Sequence, residues 1–245
     1  AFSAGTLAFH QRYHGLPADH PTTLLGVPTF DGFRKAAPVA EPPSFQRAPI
    51  LFIDQSFVRL RLGGWTPQNR QAYFRQLIEL ARDTGHPFRY KGHPNEDPEL
   101  FSRALAEVPG ADAAAVELEA LPPLSQAPLI VMGYVSTMLL PLVVQPPSLS
   151  ICLADHPGGD PSFADTSRWL PEKGVAAECP DLSTLRAWLT EPERLQQLWA
   201  EQAPNKDGVC AHWLYQLDGS ATERLAQALQ QNLTPPPKSS ETAAH

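Results

Sequence analysis

Two hydrophobic rhythms alternate along the chain from residue 50 onward. Ile50-Leu51-Phe52-Ile53 is apolar throughout and stops at Asp54-Gln55-Ser56, the pattern of a strand buried on both faces. After Gly63-Gly64, Thr66 is placed to cap a helix with Pro67 in its first position, and Tyr73, Leu77, Ile78, Leu80 and Ala81 supply an apolar stripe expected to end near Gly85. Residues 88–91 form the next strand and deliver Gly92, His93 and Pro94 to a loop. Asn95-Glu96-Asp97-Pro98 then opens a helix with Leu100, Phe101, Ala104, Leu105 and Val108 at helical spacing.

The alternation continues with strands expected over 114–118, 129–135 and 149–153 and a weaker one over 174–177. Ser136-Thr137 caps an apolar helix over 138–144, and further helices are expected over 182–189, 191–202 and 221–233. Strands and helices in this order predict an α/β fold with a doubly wound, mostly parallel sheet.

Residues 1–48 keep no sustained period and are dense in turn residues, with one short helix near 6–13, so they read as a connector. The domain proper is expected over 49–233, and the Pro- and Ser-rich residues 234–245 read as a disordered tail. Because a connector this long is unusual and Ala1 is not a methionine, we expect a fragment or a processed chain, with an N-terminal domain missing.

Composition narrows the function. Hydrophobic residues at 42% and charged residues at 18% are ordinary for a globular protein, whereas 27 prolines among 245 residues signal many chain reversals. A formal net charge of −7 argues against a nucleic-acid partner, whose footprint is a basic face. Cys152, Cys179 and Cys210 are too far apart for a zinc pattern and read as reduced, buried thiols. No apolar run reaches the ~20 residues of a membrane helix, and no signal peptide opens the chain. The expected location is cytoplasmic, or peripheral at the inner membrane.

Ligands of open parallel sheets sit at the carboxyl ends of the strands, which directs attention to His93 and to Ser136-Thr137. An imidazole donates to an anionic oxygen, and hydroxyls with free N–H groups at a helix start cradle a phosphate. A capped strand end for His93 and a plain helix cap for Ser136 and Thr137 are the structural alternatives. Lys91, Gly92 and Pro94 complete the first loop. Asp54, Gln55, Glu117, Glu119 and His156 lie at the same expected rim as secondary candidates for a sugar or base. No Gly-rich phosphate loop, dinucleotide fingerprint, nucleophile elbow or His-Glu-x-x-His pattern occurs.

Tyr90-Lys91-Gly92-His93-Pro94, followed some forty residues later by Gly133-Tyr134-Val135-Ser136-Thr137, resembles the bacterial sialyltransferases of the GT-B type, which include lipooligosaccharide sialyltransferases and capsular polysialyltransferases. The resemblance covers roughly residues 49–155. It implies that the chain is the Rossmann-like C-terminal half of a GT-B fold, transferring sialic acid from CMP-sialic acid to a glycan acceptor in polysaccharide biosynthesis. On that resemblance His93 is a phosphate donor and leaving-group acid. Pro94, Ser136, Thr137, Lys91, Gly92 and Gln55 surround the donor phosphate, and neither cofactor nor metal is required. The family's acidic-acidic-Gly motif, whose second carboxylate is the general base, is missing; Phe30-Asp31-Gly32 holds one carboxylate and is not assigned that role. A non-catalytic nucleotide- or sugar-binding module of the same fold, or a structural partner domain, remains the alternative.

Overall fold

A computed structural model of the chain describes residues 1–117, 128–134, 136–155 and 168–233. The chain divides into two compact units, Ala1–Arg34 with Ala211–His245, and Lys35–Cys210. These units are drawn differently from the 1–48 and 49–233 boundaries expected from composition, because packing groups segments distant in sequence. The tail at 234–245 lies outside the described residues.

In the first unit, α1 (Ala4–Tyr13) starts at Ser3, whose hydroxyl accepts from Thr6 N. The closing helix of the chain, Ala221–Leu233, has its first amides taken by Asp31: both carboxylate oxygens accept, from Ala221 N and Thr222 N, each at 2.8 Å.

The Lys35–Cys210 unit is built on a six-stranded sheet in which every pairing is parallel, in the order β3-β2-β1-β4-β5-β6. Its strands are β1 (Ile50–Ile53), β2 (Phe88–Lys91), β3 (Ala113–Ala115), β4 (Leu129–Gly133), β5 (Ser148–Leu153) and β6 (Ala177–Cys179). The strands run outward one way from β1 through β2 to β3 and the other way from β4 to β6, so the order reverses between β1 and β4. Among the described residues, helices between β1 and β2, β2 and β3, β4 and β5, and β5 and β6 give the Rossmann-like α/β architecture that the alternating pattern predicts. Among them are α2 (Phe57–Leu60), α3 (Pro67–Thr84), α4 (Glu99–Ala106) and α5 (Leu140–Val143).

Local chemistry fixes the long elements. All four residues of β1 are buried, as a strand covered on both faces requires. Thr66 and Asn69 form a reciprocal cap on α3: Thr66 Oγ1 accepts from Asn69 N at 3.3 Å and Asn69 Oδ1 accepts from Thr66 N at 2.7 Å. Gly85 ends the helix in the left-handed region at φ 76°. The aromatic core joins β2 to α4 through Tyr90 and Phe101, whose rings stack at 4.2 Å and 9°.

Three short elements differ from expectation. The helix expected over 138–144 is a 3-10 turn, Thr137–Leu139, followed by the four-residue α5. Pro141 has no N–H to give to the Thr137 carbonyl, so that α-helical bond is missing and the chain enters α5 through a 3-10 turn. The strand expected over 174–177 is displaced to Ala177–Cys179, because Gly174 is still turning at φ 67°. The third strand is limited to Ala113–Ala115, and Leu118 at its expected end lies outside the described residues.

β6 pairs only with Ile151 to Leu153 of β5. Beside that pairing, the side chain of Gln202 takes both backbone groups of Ser150: Oε1 accepts from its N–H at 3.0 Å and Nε2 donates to its carbonyl at 2.9 Å. Among the described residues no helix is long and apolar enough to cross a membrane.

Candidate functional site

Parallel pairing brings the ends of β1, β2 and β4 to one rim. Ile53 is in register with Lys91 on one side and Gly133 on the other, so the His93 and Ser136 loops leave the sheet on either side of β1. Their strands lie two spacings apart, about 9–10 Å. Gly133 is needed at this point, since a Cβ there would come within 2.7 Å of the Ile53 carbonyl oxygen.

His93 is half-buried. Its Nδ1 accepts from Asn95 N at 3.1 Å and its carbonyl accepts from Glu96 N at 2.9 Å. With Nδ1 accepting, the neutral ring carries its proton on Nε2. Pro94 is exposed. The loop is fastened to the segment after β1: Glu96 Oε2 accepts from Val58 N at 3.0 Å and Ser56 Oγ donates to Asn95 O at 3.3 Å.

The remaining expected residues are spread along the rim. Lys91 pairs with Glu117 at 3.0 Å and donates to Gly92 O at 3.1 Å, so its charge is already answered within the β2–β3 side. Gly92 lies against the Tyr90 ring. Gln55 donates its amide N–H to Asp54 Oδ1 at 2.7 Å. The Ser136 hydroxyl accepts from Met138 N at 3.3 Å, which is the cap of the short turn that follows. The side chain of Thr137, and Glu119 and His156 entirely, lie outside the described residues. Asp31 is engaged as the cap of the closing helix, in keeping with its not being assigned as a base.

Sequence reasoning placed Asp54 at the rim as a secondary candidate but missed the partner that engages it, Arg70. Asp54, immediately after β1, forms an ion pair with Arg70 in the first turns of α3, and both side chains are fully buried. Tyr90 donates to the other Asp54 oxygen at 2.7 Å, and Tyr73 donates to Asp155 after β5 at 2.8 Å. Tyr134, following β4, is in electrostatic contact with Arg70 and Tyr73. A polar belt therefore runs beneath the rim from β2 to β5. The signal was present: Arg70 lies on the same helical stripe as Tyr73, Phe74, Leu77 and Ile78, where a charged residue is out of pattern.

Burial governs the electrostatics. It works against the Arg70 charge, but Asp54 and the Tyr134 and Tyr73 hydroxyls outweigh it, so the guanidinium pKa rises above its ordinary value. Burial also raises the Tyr73, Tyr90 and Tyr134 phenols, which stay protonated donors. Asp155 is raised by desolvation, opposed by the Tyr73 hydrogen bond. Six aromatic rings surround the guanidinium, from Phe74 at 4.5 Å and Trp65 at 4.6 Å to Phe52 at 5.8 Å. Among the described residues no group of three metal-ligating side chains occurs.

No known family model matches the chain, and no curated protein matches it. Among solved structures, the chain is similar to the glycosyltransferase CalG4 of calicheamicin, at 14% identity and a TM-score of 0.46 over 96% of this chain and 52% of that one. It is also similar to the glycosyltransferase SnogD from Streptomyces nogalater, at 16% identity and 0.41 over 87% and 54%. The glycosyltransferase VinC, in complex with DTDP, matches at 14% and 0.41 over 88% and 50%. The chain spans about half the length of each. At this level of likeness the fold rests on the strand order and register described above, not on these matches.

Proposed function

We propose that the Lys35–Cys210 unit is the donor-nucleotide half of a glycosyltransferase that takes CMP-sialic acid, with His93 meeting the donor phosphate. The observation that carries this reading is the His93 imidazole: Nδ1 is committed to Asn95 N, which leaves Nε2–H as the donor at the carboxyl rim next to the reversal of strand order. Ser136, on the other side of β1, completes the motif pair that resembles the sialyltransferases.

In the proposed reaction the bond between the sialyl carbon and the phosphate oxygen breaks, and its electron pair passes to that oxygen. The departing CMP gains charge, which the neutral His93 ring stabilises by donating a hydrogen bond from Nε2 while keeping its proton. The acceptor hydroxyl of a glycan closes the sequence by attacking the sialyl carbon. Its proton goes to a base outside the residues assigned here, belonging in this proposal to an N-terminal half. A cytoplasmic place, at or near the inner membrane, is part of the same proposal.

Calorimetry with CMP tests the binding role. A charge-assisted hydrogen bond contributes about 1.5–3 kcal/mol, so His93→Ala is expected to weaken CMP by roughly 10- to 150-fold. Unchanged affinity would sink the assignment. One observation favours a second reading, a non-catalytic module: the crevice at the β1/β4 reversal is filled by the protein's own Arg70 and aromatic rings. CMP binding without sialyl transfer by a chain supplied with its N-terminal half would select that reading.

A further inference from the structure

In an open parallel sheet the ligand crevice lies outside the carboxyl ends of the strands where their order reverses. Here that position falls between Asp54 after β1 and Tyr134 after β4, and Arg70 occupies it. The guanidinium is wholly buried, yet one nitrogen alone is bonded: Nη2 pairs with Asp54, whereas Nε and Nη1 find no acceptor among the described residues. A buried donor left unmet is costly, and few are tolerated without a reason.

The rings that enclose Arg70 come from two kinds of structure. Phe52 and Phe74 belong to β1 and α3, so moving them dismantles the central strand or the long helix that covers it. Phe57 and Trp65, centred 5.3 and 4.6 Å from the guanidinium carbon, belong to the connection between β1 and α3. Its only regular element is the single turn α2. It contains three left-handed residues, Arg61, Gly63 and Gly64, and exposes Leu60 and Leu62. Trp65 is itself imperfectly housed, because its indole N–H is buried with no acceptor. Phe57 and Trp65 pack in the core cluster, yet they are carried by a connection of one helical turn and three left-handed residues, and they fill the place where the fold holds ligands.

We infer that Phe57 and Trp65 form a displaceable plug in the nucleotide crevice, and that Arg70 behind them is the group that binds the phosphate of a nucleoside monophosphate once the plug swings out. This rests on the nucleotide reading proposed above and deepens it. Displacement opens one edge of the guanidinium, so that Nη1–H donates to a phosphate oxygen while Nη2 stays on Asp54, and the ion pair orients the guanidinium instead of competing for it. Glu96 takes part because its carboxylate holds Val58 N in the same connection and its backbone N–H is bound to the His93 carbonyl. Movement of the plug is thereby transmitted to the His93 loop. The closed state lowers apparent affinity by the fraction of molecules that are open.

The test is CMP titration of the full chain by calorimetry, with acrylamide quenching of tryptophan fluorescence as a second readout. Trp65→Ala is expected to bind CMP about tenfold tighter than the parent, and Arg70→Gln in that background to lose the gain. Saturating CMP is expected to increase quenching in the parent, and this increment to vanish in Trp65→Phe. Neither Trp65 readout requires a change at Arg70, so the inference stays testable if the Arg70 variant fails to fold. Equal CMP affinity in the parent and Trp65→Ala, with quenching unaltered, would overturn the plug and leave the His93 reading standing. Failure of both proteins to bind CMP would overturn both. Binding by Trp65→Ala alone supports a plug that keeps the parent closed.

Discussion

Arg70 and Asp54, sixteen positions apart, meet as an ion pair with both side chains at 0% exposure, at the end of the central strand. Taking two charges out of water costs several kcal/mol each, and the pair is retained only because its attraction and its added hydrogen bonds offset that cost. Gln55 N and Tyr90 Oη supply those added bonds to Asp54. Removing either charge alone strands the other. Arg70→Met and Asp54→Asn are each expected to lower unfolding free energy by about 3–5 kcal/mol. The double variant is expected to lose less than the two losses combined, which urea titration of all four proteins measures.

Gly133 and Gly92 separate a backbone constraint from a side-chain one. A methyl at 133 meets the Ile53 carbonyl at 2.7 Å, whereas at 92 the nearest atom is on the Tyr90 ring at 3.2 Å. Gly133→Ala must part β4 from β1 and is expected to cost about 1–3 kcal/mol. Gly92→Ala needs only a small ring shift and is expected to cost less than half as much. Thermal melts of the two variants side by side decide the order.

Lys206 gives a dependence on pH of known sign. Its Nζ donates to Gln145 O at 2.8 Å and to Ser148 O, with no carboxylate partner among the described residues, and burial lowers its pKa from 10.5 to about 7. Above 7 the folded chain has released a proton that the unfolded chain holds until about 10.5, so stability rises with pH in that window and the cost of burying the charge is fully felt below it. The unfolding free energy from urea titration is expected to increase between pH 6.5 and 8.5 by an amount on the order of 1–2 kcal/mol. Lys206→Met is expected to flatten that increase.

The buried thiols oppose this trend at higher pH. Cys152 and Cys179 are pushed up to about 12 by burial, from 9.0 in the unfolded chain. Above pH 9 the unfolded thiols lose protons that the folded ones keep, so stability falls. At pH 8 the native protein is expected to resist a thiol-specific disulfide reagent at both positions, and to react fully in urea. Fast reaction of either cysteine in the native state would contradict its burial.

The sheet was legible where local signals were strong. Ile50–Ile53 and the apolar part of β4 are continuous runs, and Thr66-Pro67 with Gly85 bracket α3 in the sequence as they do in space. Boundaries failed where a single backbone group decided them, as at Pro141 and Gly174. The grouping of residues 1–34 with the C-terminal segment was not legible, since it rests on contacts such as Asp31 to Ala221 and Thr222 that no local pattern announces. At the rim, His93 stood out because it follows a clear strand. Arg70 did not, although an arginine on an otherwise apolar stripe is out of pattern, because the residue that answers its charge, Asp54, lies sixteen positions away on another element.

Gln202 completes the sheet where a strand runs out. β5 lies inside the sheet, and β6 covers it only from Ile151 onward. By matching both backbone groups of Ser150, the Gln202 side chain stands in for the neighbour that β6 does not supply there. Replacing it with leucine keeps much of the bulk but leaves a buried N–H and a buried carbonyl unmet, so Gln202→Leu is expected to lower unfolding free energy by about 1–3 kcal/mol, which urea titration measures. A single amide thus acts as one more rung of the ladder.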